Sequence, residues 1–165
     1  MQKLWIYFLL IGIVFSCKKE TQPEVADANL SEFTAFQNTP KTQDINAEAM
    51  IILKDWAEFT SFQKSFDFMY RAGNNEDLVL AIDDLLEKEN NLRESKYPEE
   101  FDKTQIRSRQ KVLRTFLLKI KASLVENTDV NEPVKQMLTA RNAFRYQFNI
   151  IVSNKLDTKL ILDEN

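Results

Sequence analysis

The sequence predicts an all-α protein, an up-down-up-down antiparallel four-helix bundle behind an amino-terminal leader and a flexible tether. Apolar side chains recur every three or four residues through positions 46–165, which is the period of an amphipathic helix. Helix breakers are rare there, and Gly73, Pro98 and Pro133 each fall where one predicted helix ends or the next begins. No stretch alternates with the two-residue period of a strand, and the short connections favour antiparallel neighbours.

The leader comprises residues 1–16. Lys3 provides a positive charge, and residues 4–15 form an unbroken apolar run. As a helix this run would measure about 18 Å, which is too short for the ~30 Å hydrocarbon core of a bilayer. Its length is typical of the apolar region of a signal peptide, so we expect residues 1–16 to be removed on export.

The end of the leader resembles the lipobox of bacterial lipoproteins, in the looser form of the Bacteroidota type. The motif is Val14-Phe15-Ser16-Cys17, and Cys17 is the sole cysteine of the chain. The resemblance implies cleavage between Ser16 and Cys17, a lipid on the Cys17 thiol that anchors the protein to a membrane, and a place in the cell envelope at the outer membrane, facing the periplasm or the cell surface. The residues alone leave open an ordinary signal peptide, or a short membrane anchor, with an incidental cysteine.

Residues 17–45 are predicted to be a flexible tether that begins with the lipidated cysteine. Their polar composition cannot bury enough apolar surface to fold alone. One apolar triplet interrupts the tether, with Leu30, Phe33 and Phe36 at three-residue spacing. We expect this triplet to form a short amphipathic helix that packs on the bundle; the alternative is a partner-binding segment.

The helical domain is predicted over residues 46–165. Its helices are expected at 47–72, 76–94, 98–126 and 132–156, with caps at Asn46, at Asn74 or Asn75, and at Asp129 or Asn131. Residues 157–165 are expected either to extend the last helix or to fray. Gly73 is expected to end the first helix in the left-handed conformation. The first apolar stripe is rich in aromatic residues and consists of Ile52, Trp56, Phe59, Phe62, Phe66, Met69 and Tyr70.

Opposite charges mark the second and third predicted helices. Residues 74–102 hold ten acidic and three basic side chains, whereas residues 103–121 hold seven basic and no acidic ones. We expect these helices to lie side by side, although each exposed pair contributes little. The alternative is that the basic helix binds an anion, nucleic acid or lipid head groups. The net charge of −3 and the envelope address argue against nucleic acid.

Five ionisable side chains fall on the apolar faces of the predicted helices: Asp55, Glu89, Arg109, Arg141 and Arg145. Buried charges are costly unless they are paired, and the lengths of the predicted hairpins set Glu89 and Arg109 at similar heights. We therefore expect a structural ion pair, or arginine stems that reach solvent at the edge of the bundle. The alternative is a pocket for an anionic or zwitterionic ligand, with Arg109, Arg141 and Arg145 as donors.

The composition excludes several classes of enzyme. The chain has no histidine, one cysteine and two glycines, which removes the Ser-His-Asp triad, thiolate or imidazole metal sites, and glycine-rich phosphate loops. We expect no cofactor, no metal and no enzymatic activity; a hydrolase built on paired carboxylates is the remaining enzymatic alternative. The sequence favours a membrane-anchored helical domain that binds an envelope protein or organises the envelope. The alternative function is a ligand-binding or sensing bundle with interior arginines.

Overall fold

The structure is a computed structural model that describes residues 33–163, with side chains described for residues 33–154. The predicted signal peptide, the cleavage site at Ser16 and Cys17, and Leu30 lie outside the described residues. Within the described range every regular element is a helix, so the all-α prediction is confirmed. The helices are α1 (Ala47–Leu53), α2 (Ala57–Met69), α3 (Asn75–Glu94), α4 (Thr104–Val125) and α5 (Asn131–Asp163).

Two asparagines begin helices as the sequence predicts. Asn46 precedes α1, and its side-chain oxygen accepts a hydrogen bond from the N–H of Ala49 at 2.9 Å. Asn74 precedes α3 and accepts from the N–H of Asp77 at 2.7 Å. Each bond satisfies one of the N–H groups that the first turn of a helix leaves without a partner, and such a cap contributes about 1 kcal/mol.

The first predicted helix, over residues 47–72, is two helices in the structure. Residues 54–56 separate α1 from α2, because Trp56 adopts an extended backbone with φ −92° and ψ 94°. The Trp56 ring is buried, and its Nε1–H donates to the Ser95 hydroxyl at 2.9 Å. The break leaves Asp55 exposed in the turn, so its predicted place on an apolar helix face is wrong.

The start of α4 differs from the prediction. Pro98 does not begin a helix; its carbonyl accepts from the N–H groups of Phe101 and Asp102 in a turn, and α4 begins at Thr104. This turn brings Phe101 into the core, where its ring is fully buried. At the other end of the domain, α5 continues to Asp163, so residues 157–163 extend the helix, which is one of the two predicted outcomes.

A left-handed residue ends α4, but none ends α2. Gly73 has no positive φ, so the prediction of a left-handed glycine there is wrong. Asn127 has φ 51°, directly after the last residues of α4. Its N–H donates to Leu124 O at 3.3 Å, and the N–H of Thr128 donates to Ser123 O at 2.9 Å. These two bonds form a Schellman motif, which satisfies carbonyl groups at the end of the helix.

An aromatic cluster lies at the centre of the core. The fully buried Phe148 of α5 has its ring centroid 4.8 Å from that of Phe101, 4.9 Å from that of Phe144 and 5.3 Å from that of Phe59. Burial of each such side chain contributes about 1.5–3 kcal/mol relative to exposure. Along the chain α2 packs on α3, α3 on α4 and α4 on α5, while α1 contacts α5. The Phe59 contacts join α2 to α5.

Residues 33–45, which the sequence assigns to the tether, contact the helices. Ala35 is 2% exposed, and Phe33 and Phe36 are partly buried against the core. Residues 35–38 form a turn instead of the expected short helix, and the Phe36 ring centroid lies 5.5 Å from that of Tyr70. The chain from Phe33 onward is part of one compact unit, so folded structure begins before residue 46.

Residues 41–46 form an extended segment along α5, which we call the strap. Asn142 and Asn149 lie two turns apart on α5, and each accepts from a main-chain N–H of the strap and donates to a main-chain carbonyl. The four bonds are Gln43 N–H to Asn142 Oδ1 at 2.8 Å, Asn142 Nδ2 to Lys41 O at 2.7 Å, Asn46 N–H to Asn149 Oδ1 at 2.9 Å, and Asn149 Nδ2 to Asp44 O at 2.9 Å. The asparagine amides thus replace the partners that a neighbouring strand would supply.

Candidate functional site

Two arginines of α5 converge on one glutamine of α2. Arg141 and Arg145 are one helical turn apart, so their side chains share a face of α5. Gln63 Oε1 accepts from Arg141 Nη2 at 3.2 Å and from Arg145 Nη1 at 2.6 Å. Arg141 Nη1 also donates to the Tyr70 hydroxyl at 3.4 Å, and Arg145 Nε donates to Gln43 O of the strap at 2.5 Å. We call Gln63, Arg141 and Arg145 the arginine cluster.

The arginine cluster is largely withdrawn from water. Arg141 is 6% exposed, and its guanidinium carbon lies 4.1 Å from the centroid of the Phe66 ring. Burial lowers the pKa of Arg141; the Tyr70 hydroxyl opposes this effect and the charge of Arg145 adds to it. Burial also lowers the pKa of Arg145, against the opposing charge of Asp44. Because a guanidinium group begins from so high a pKa, both side chains stay charged at neutral pH.

The arginine cluster has more hydrogen-bond donors than acceptors. Among the described side chains neither arginine forms an ion pair with a carboxylate. Both guanidinium groups share Gln63 Oε1, while Gln63 Nε2 and Arg141 Nε are buried without a hydrogen-bond partner. A buried donor without an acceptor costs about 1–3 kcal/mol. The cluster can therefore be stabilised by any group that brings acceptors and negative charge.

A cavity of about 310 Å³ adjoins the arginine cluster. Besides the three cluster residues, it is lined by Ile45, Met50, Leu53, Phe59, Thr60, Lys64 and Asp67. Lys64 and the two arginines outnumber Asp67, so the lining carries positive charge. The volume lies at the lower end of the range for small-molecule sites, which is about 300–1,000 Å³.

A second cavity, of about 870 Å³, lies between the α1–α2 break and the loop before α4. Its charged lining residues have both signs: Asp55, Glu58, Lys96, Glu99, Asp102 and Lys103. Trp56 and Tyr97 line it as well, but their polar atoms are bonded to Ser95 and Gln110. In the described part of the chain, every buried polar side-chain atom that lines this cavity has a hydrogen-bond partner. The arginine cluster contains two buried polar atoms without one, so it is the better candidate site.

Glu89 belongs to a separate buried polar cluster between α3 and α4. Its side chain is fully buried; Oε1 accepts from Gln110 Nε2 at 3.0 Å, and Oε2 accepts from Arg114. Gln110 Oε1 in turn accepts from the Tyr97 hydroxyl. None of these four side chains has a buried polar atom without a partner. Glu89 is therefore held in an internal ion pair, and it does not join Arg141 and Arg145.

Arg109 belongs to neither cluster. It is exposed on α4, so the prediction that it lies on the apolar face is wrong. The predicted height is correct, because the next residue, Gln110, bonds to Glu89, but the Arg109 side chain itself points away from that cluster. The prediction counted Val112 and Phe116 as part of the buried face, which placed Arg109 within it. In the structure Val112 is 44% exposed and Phe116 is half-buried, so the buried face lies further from Arg109. The buried face is marked instead by Gln110, a polar residue that the apolar pattern leaves out.

Several basic side chains of α4 contact acidic residues nearby in the fold. Lys121 Nζ lies 2.7 Å from Asp83 Oδ1 of α3, and Arg107 Nη2 lies 2.8 Å from Asp102 Oδ1. The contact of Lys121 with Asp83 and the bond from Arg114 to Glu89 place positive charges of α4 beside negative charges of α3, whereas Asp102 lies in the turn before α4. The charge pattern is thus used at least in part for packing between the two helices.

Comparison with known proteins adds no family for this chain. No protein-family model, no curated protein and no solved structure matches it. Among the helices of residues 33–163, none is long and apolar enough to cross a membrane. In the same described range, no group of three His, Cys, Asp or Glu side chains is arranged to hold a metal ion.

Proposed function

We propose that the protein is a lipoprotein of the cell envelope, anchored through Cys17, whose helical domain acts by binding and not by catalysis. The observation that carries the anchor is the sequence Val14-Phe15-Ser16-Cys17, which resembles a lipobox and holds the sole cysteine. More than one acyl chain is needed to hold a protein stably at a membrane, and a lipobox cysteine provides such an attachment. The anchor would hold the domain at the outer membrane, facing the periplasm or the cell surface.

The substitution Cys17→Ala tests the anchor. The wild-type protein should incorporate a labelled fatty acid and sediment with membranes, and the variant should do neither. Ser16→Ala is the matched control, because it keeps a small residue before the cysteine and should leave labelling intact. Labelling of Cys17→Ala at the wild-type level would contradict the proposal.

The domain itself is proposed to bind an envelope protein or to organise the envelope. The support is that the chain lacks histidine, and that the two polar clusters of the domain are built from arginine, glutamine, tyrosine and a single paired carboxylate. Proximity labelling in the intact envelope, with Cys17→Ala as the mislocalised control, should enrich a recurrent neighbour of the wild-type protein. Identical profiles from the two strains would argue against a specific envelope partner.

The arrangement proposed for α2–α5 is an up-down-up-down antiparallel four-helix bundle. Its support is that contacts between α3 and α4 run in opposite senses along the chain, from Asp83–Lys121 to Glu89–Arg114. The short connections between helices agree with this order. Nuclear Overhauser contacts between the rings of Phe59 and Phe148 would place α2 beside α5, and their absence would contradict the closed bundle.

A second candidate function is small-ligand binding at the arginine cluster. It is favoured by one observation, that two neighbouring arginines share a single acceptor beside a cavity of about 310 Å³. A small-molecule extract of the source cells should raise the unfolding temperature of the wild-type protein, and Arg145→Gln should remove that rise. An equal rise in both proteins would contradict ligand binding at this site.

A further inference from the structure

We infer that the arginine cluster binds the carboxylate of a small organic anion that has an apolar body. The inference rests on the ligand-binding function proposed above and specifies the chemical class of the ligand. It follows from three properties of the cluster and its cavity: the supply of donors, the balance of charge, and the nature of the walls.

The unused hydrogen-bond donors of the arginine cluster favour a ligand that has more than one acceptor oxygen. Gln63 has one side-chain oxygen, and Arg141 and Arg145 both donate to it. The remaining amide nitrogen of Gln63 and the Nε–H of Arg141 are buried and unused, and the bonds of Arg145 to Gln63 and to the strap engage only Nε and Nη1. A carboxylate presents two oxygens in one plane, which is the geometry that a guanidinium group recognises best.

The charge balance favours an anionic ligand. Lys64, Arg141 and Arg145 line the same cavity, and among the described residues no ion pair joins either arginine to a carboxylate. Asp67 lines the cavity as well, and Asp44 acts on Arg145 at longer range. Three basic side chains and one acidic side chain line the cavity, so a carboxylate there is attracted more strongly than it is repelled.

The apolar side chains that line the cavity favour a ligand whose part beyond the carboxylate is apolar. Four of the residues that line the cavity have large apolar side chains: Ile45, Met50, Leu53 and Phe59. Leu53 and Phe59 belong to the buried core, so a ligand that reaches them leaves water. Removing the apolar part of such a ligand from water is favourable, and inorganic anions have no such part.

Calorimetric titration of the purified full-length protein in detergent, with detergent alone as the blank, tests the inference. The probes are hexanoate, hexanamide, which has the same apolar body without the charge, and inorganic phosphate, which has the charge without the apolar body. Hexanoate should bind at least about tenfold more tightly than either of the other two. Hexanamide or phosphate binding as tightly as hexanoate would overturn the inference.

Three variants locate the binding. Arg145→Gln should weaken hexanoate binding by at least about tenfold, while Arg109→Gln, which changes an exposed arginine of α4, should leave it unchanged. Asp67→Asn should strengthen hexanoate binding, and it provides a second readout in case Arg145→Gln does not fold. Equal affinity in Asp67→Asn and the wild type, or in Arg145→Gln and the wild type, would overturn the assignment of the site.

The outcome also separates this inference from the function on which it rests. If the cell extract stabilises the wild-type protein through Arg145 but hexanoate does not bind, the carboxylate inference fails and the ligand-binding function stands. If neither the extract nor hexanoate has an effect that depends on Arg145, both fail.

Discussion

Arg114 on α4 donates to the carboxylate of Glu89 on α3, and that carboxylate is fully buried. Gln110 donates to the other carboxylate oxygen, so the charge is satisfied only while both partners are present. Removing one partner of a buried ion pair typically costs about 3–5 kcal/mol, because it leaves the other charge without compensation. Since the Arg114 side chain is 30% exposed, water screens part of this effect.

We expect Arg114→Met to lower the free energy of unfolding by about 2 kcal/mol, which is below the range for a fully buried pair. Urea denaturation followed by circular dichroism measures the change. Arg109→Met is the matched control, because it alters an exposed arginine of the same helix and should stay within about 0.5 kcal/mol of the wild type. Equal losses in the two variants would mean that the bond to Glu89 does not contribute to stability.

Tyr97 should make the protein less stable at alkaline pH. Burial raises the pKa of Tyr97; the Arg107 charge opposes this effect and the Glu89 charge adds to it. The folded protein therefore holds the phenolic proton more tightly than the unfolded chain does. This contribution to stability is complete below the unfolded pKa of about 10 and is lost as the pH rises toward the folded value.

Unfolding free energies measured across this alkaline range should fall less steeply for Tyr97→Phe than for the wild type. The variant also loses the bond from the hydroxyl to Gln110, so the slopes are compared after each curve is normalised at neutral pH. A phenolate absorbance titration of the folded wild type should show a late-titrating tyrosine that the variant lacks. Identical slopes would contradict the pKa assignment.

Asn127 is the place where a glycine should stabilise the fold. Its φ of 51° lies in the left-handed region, which costs about 1–2 kcal/mol for a residue with a Cβ and less for asparagine. We expect Asn127→Gly to raise the free energy of unfolding by about 0.5 kcal/mol, and Asn127→Ala to lower it by about 1 kcal/mol. Thermal denaturation of the two variants gives the sign, and a more stable Asn127→Ala would refute the left-handed cap.

Gly73 should behave in the opposite way. It has no positive φ, and a Cβ built there would meet Asp77 Oδ2 at 3.9 Å, which is an ordinary contact. Gly73→Ala should therefore stabilise the protein by about 0.4–1 kcal/mol, because the unfolded chain loses conformational freedom and the folded chain gains no strain. The same denaturation assay checks this, and a loss of stability would indicate a backbone requirement that the geometry does not show.

The strap should be released by removing the asparagine amides of α5. Asn142→Ala and Asn149→Ala each delete two bonds to the strap, and each should cost about 1–2 kcal/mol. Hydrogen exchange at the Gln43 and Asn46 amides should accelerate in the double variant, while exchange in α3 and α4 changes little. Asn91→Ala is the control, since Asn91 is exposed on α3 and its replacement should leave the strap amides protected.

The features that the sequence predicts well are those that depend on neighbouring residues. The helix starts at Asn46 and Asn74 follow from the local chemistry of asparagine, and the aromatic stripe of α2 follows from regular spacing. The break before α2 does not, because Trp56 continues the apolar period of the helix on paper. Its extended backbone accompanies a hydrogen bond from the indole to Ser95, which lies 39 residues away in the chain.

The interior charges show the same limit at the candidate site. Arg141 and Arg145 could be singled out because each falls on an apolar face of one helix. Their partners Gln63 and Gln43 could not, since only the fold brings α2 and the strap to α5. Gln110 could have been predicted to be buried, because it occupies a position in the apolar stripe of α4.

The strap has a mechanical consequence if the chain is held at Cys17. A force applied through the membrane anchor would act on the described domain first at Phe33, and it would act on the strap before it acts on any helix. The hydrogen bonds to Asn142 and Asn149 would then bear the force one after another. Hydrogen bonds that are loaded in sequence break at a lower force than the same number of bonds that share the load. Because Gln43 O also accepts from Arg145, detachment past Gln43 would remove one of the two acceptors of that arginine, leave its bond to Gln63, and keep the aromatic core intact. Tension on the tether and occupancy of the cavity would thus act on the same side chain.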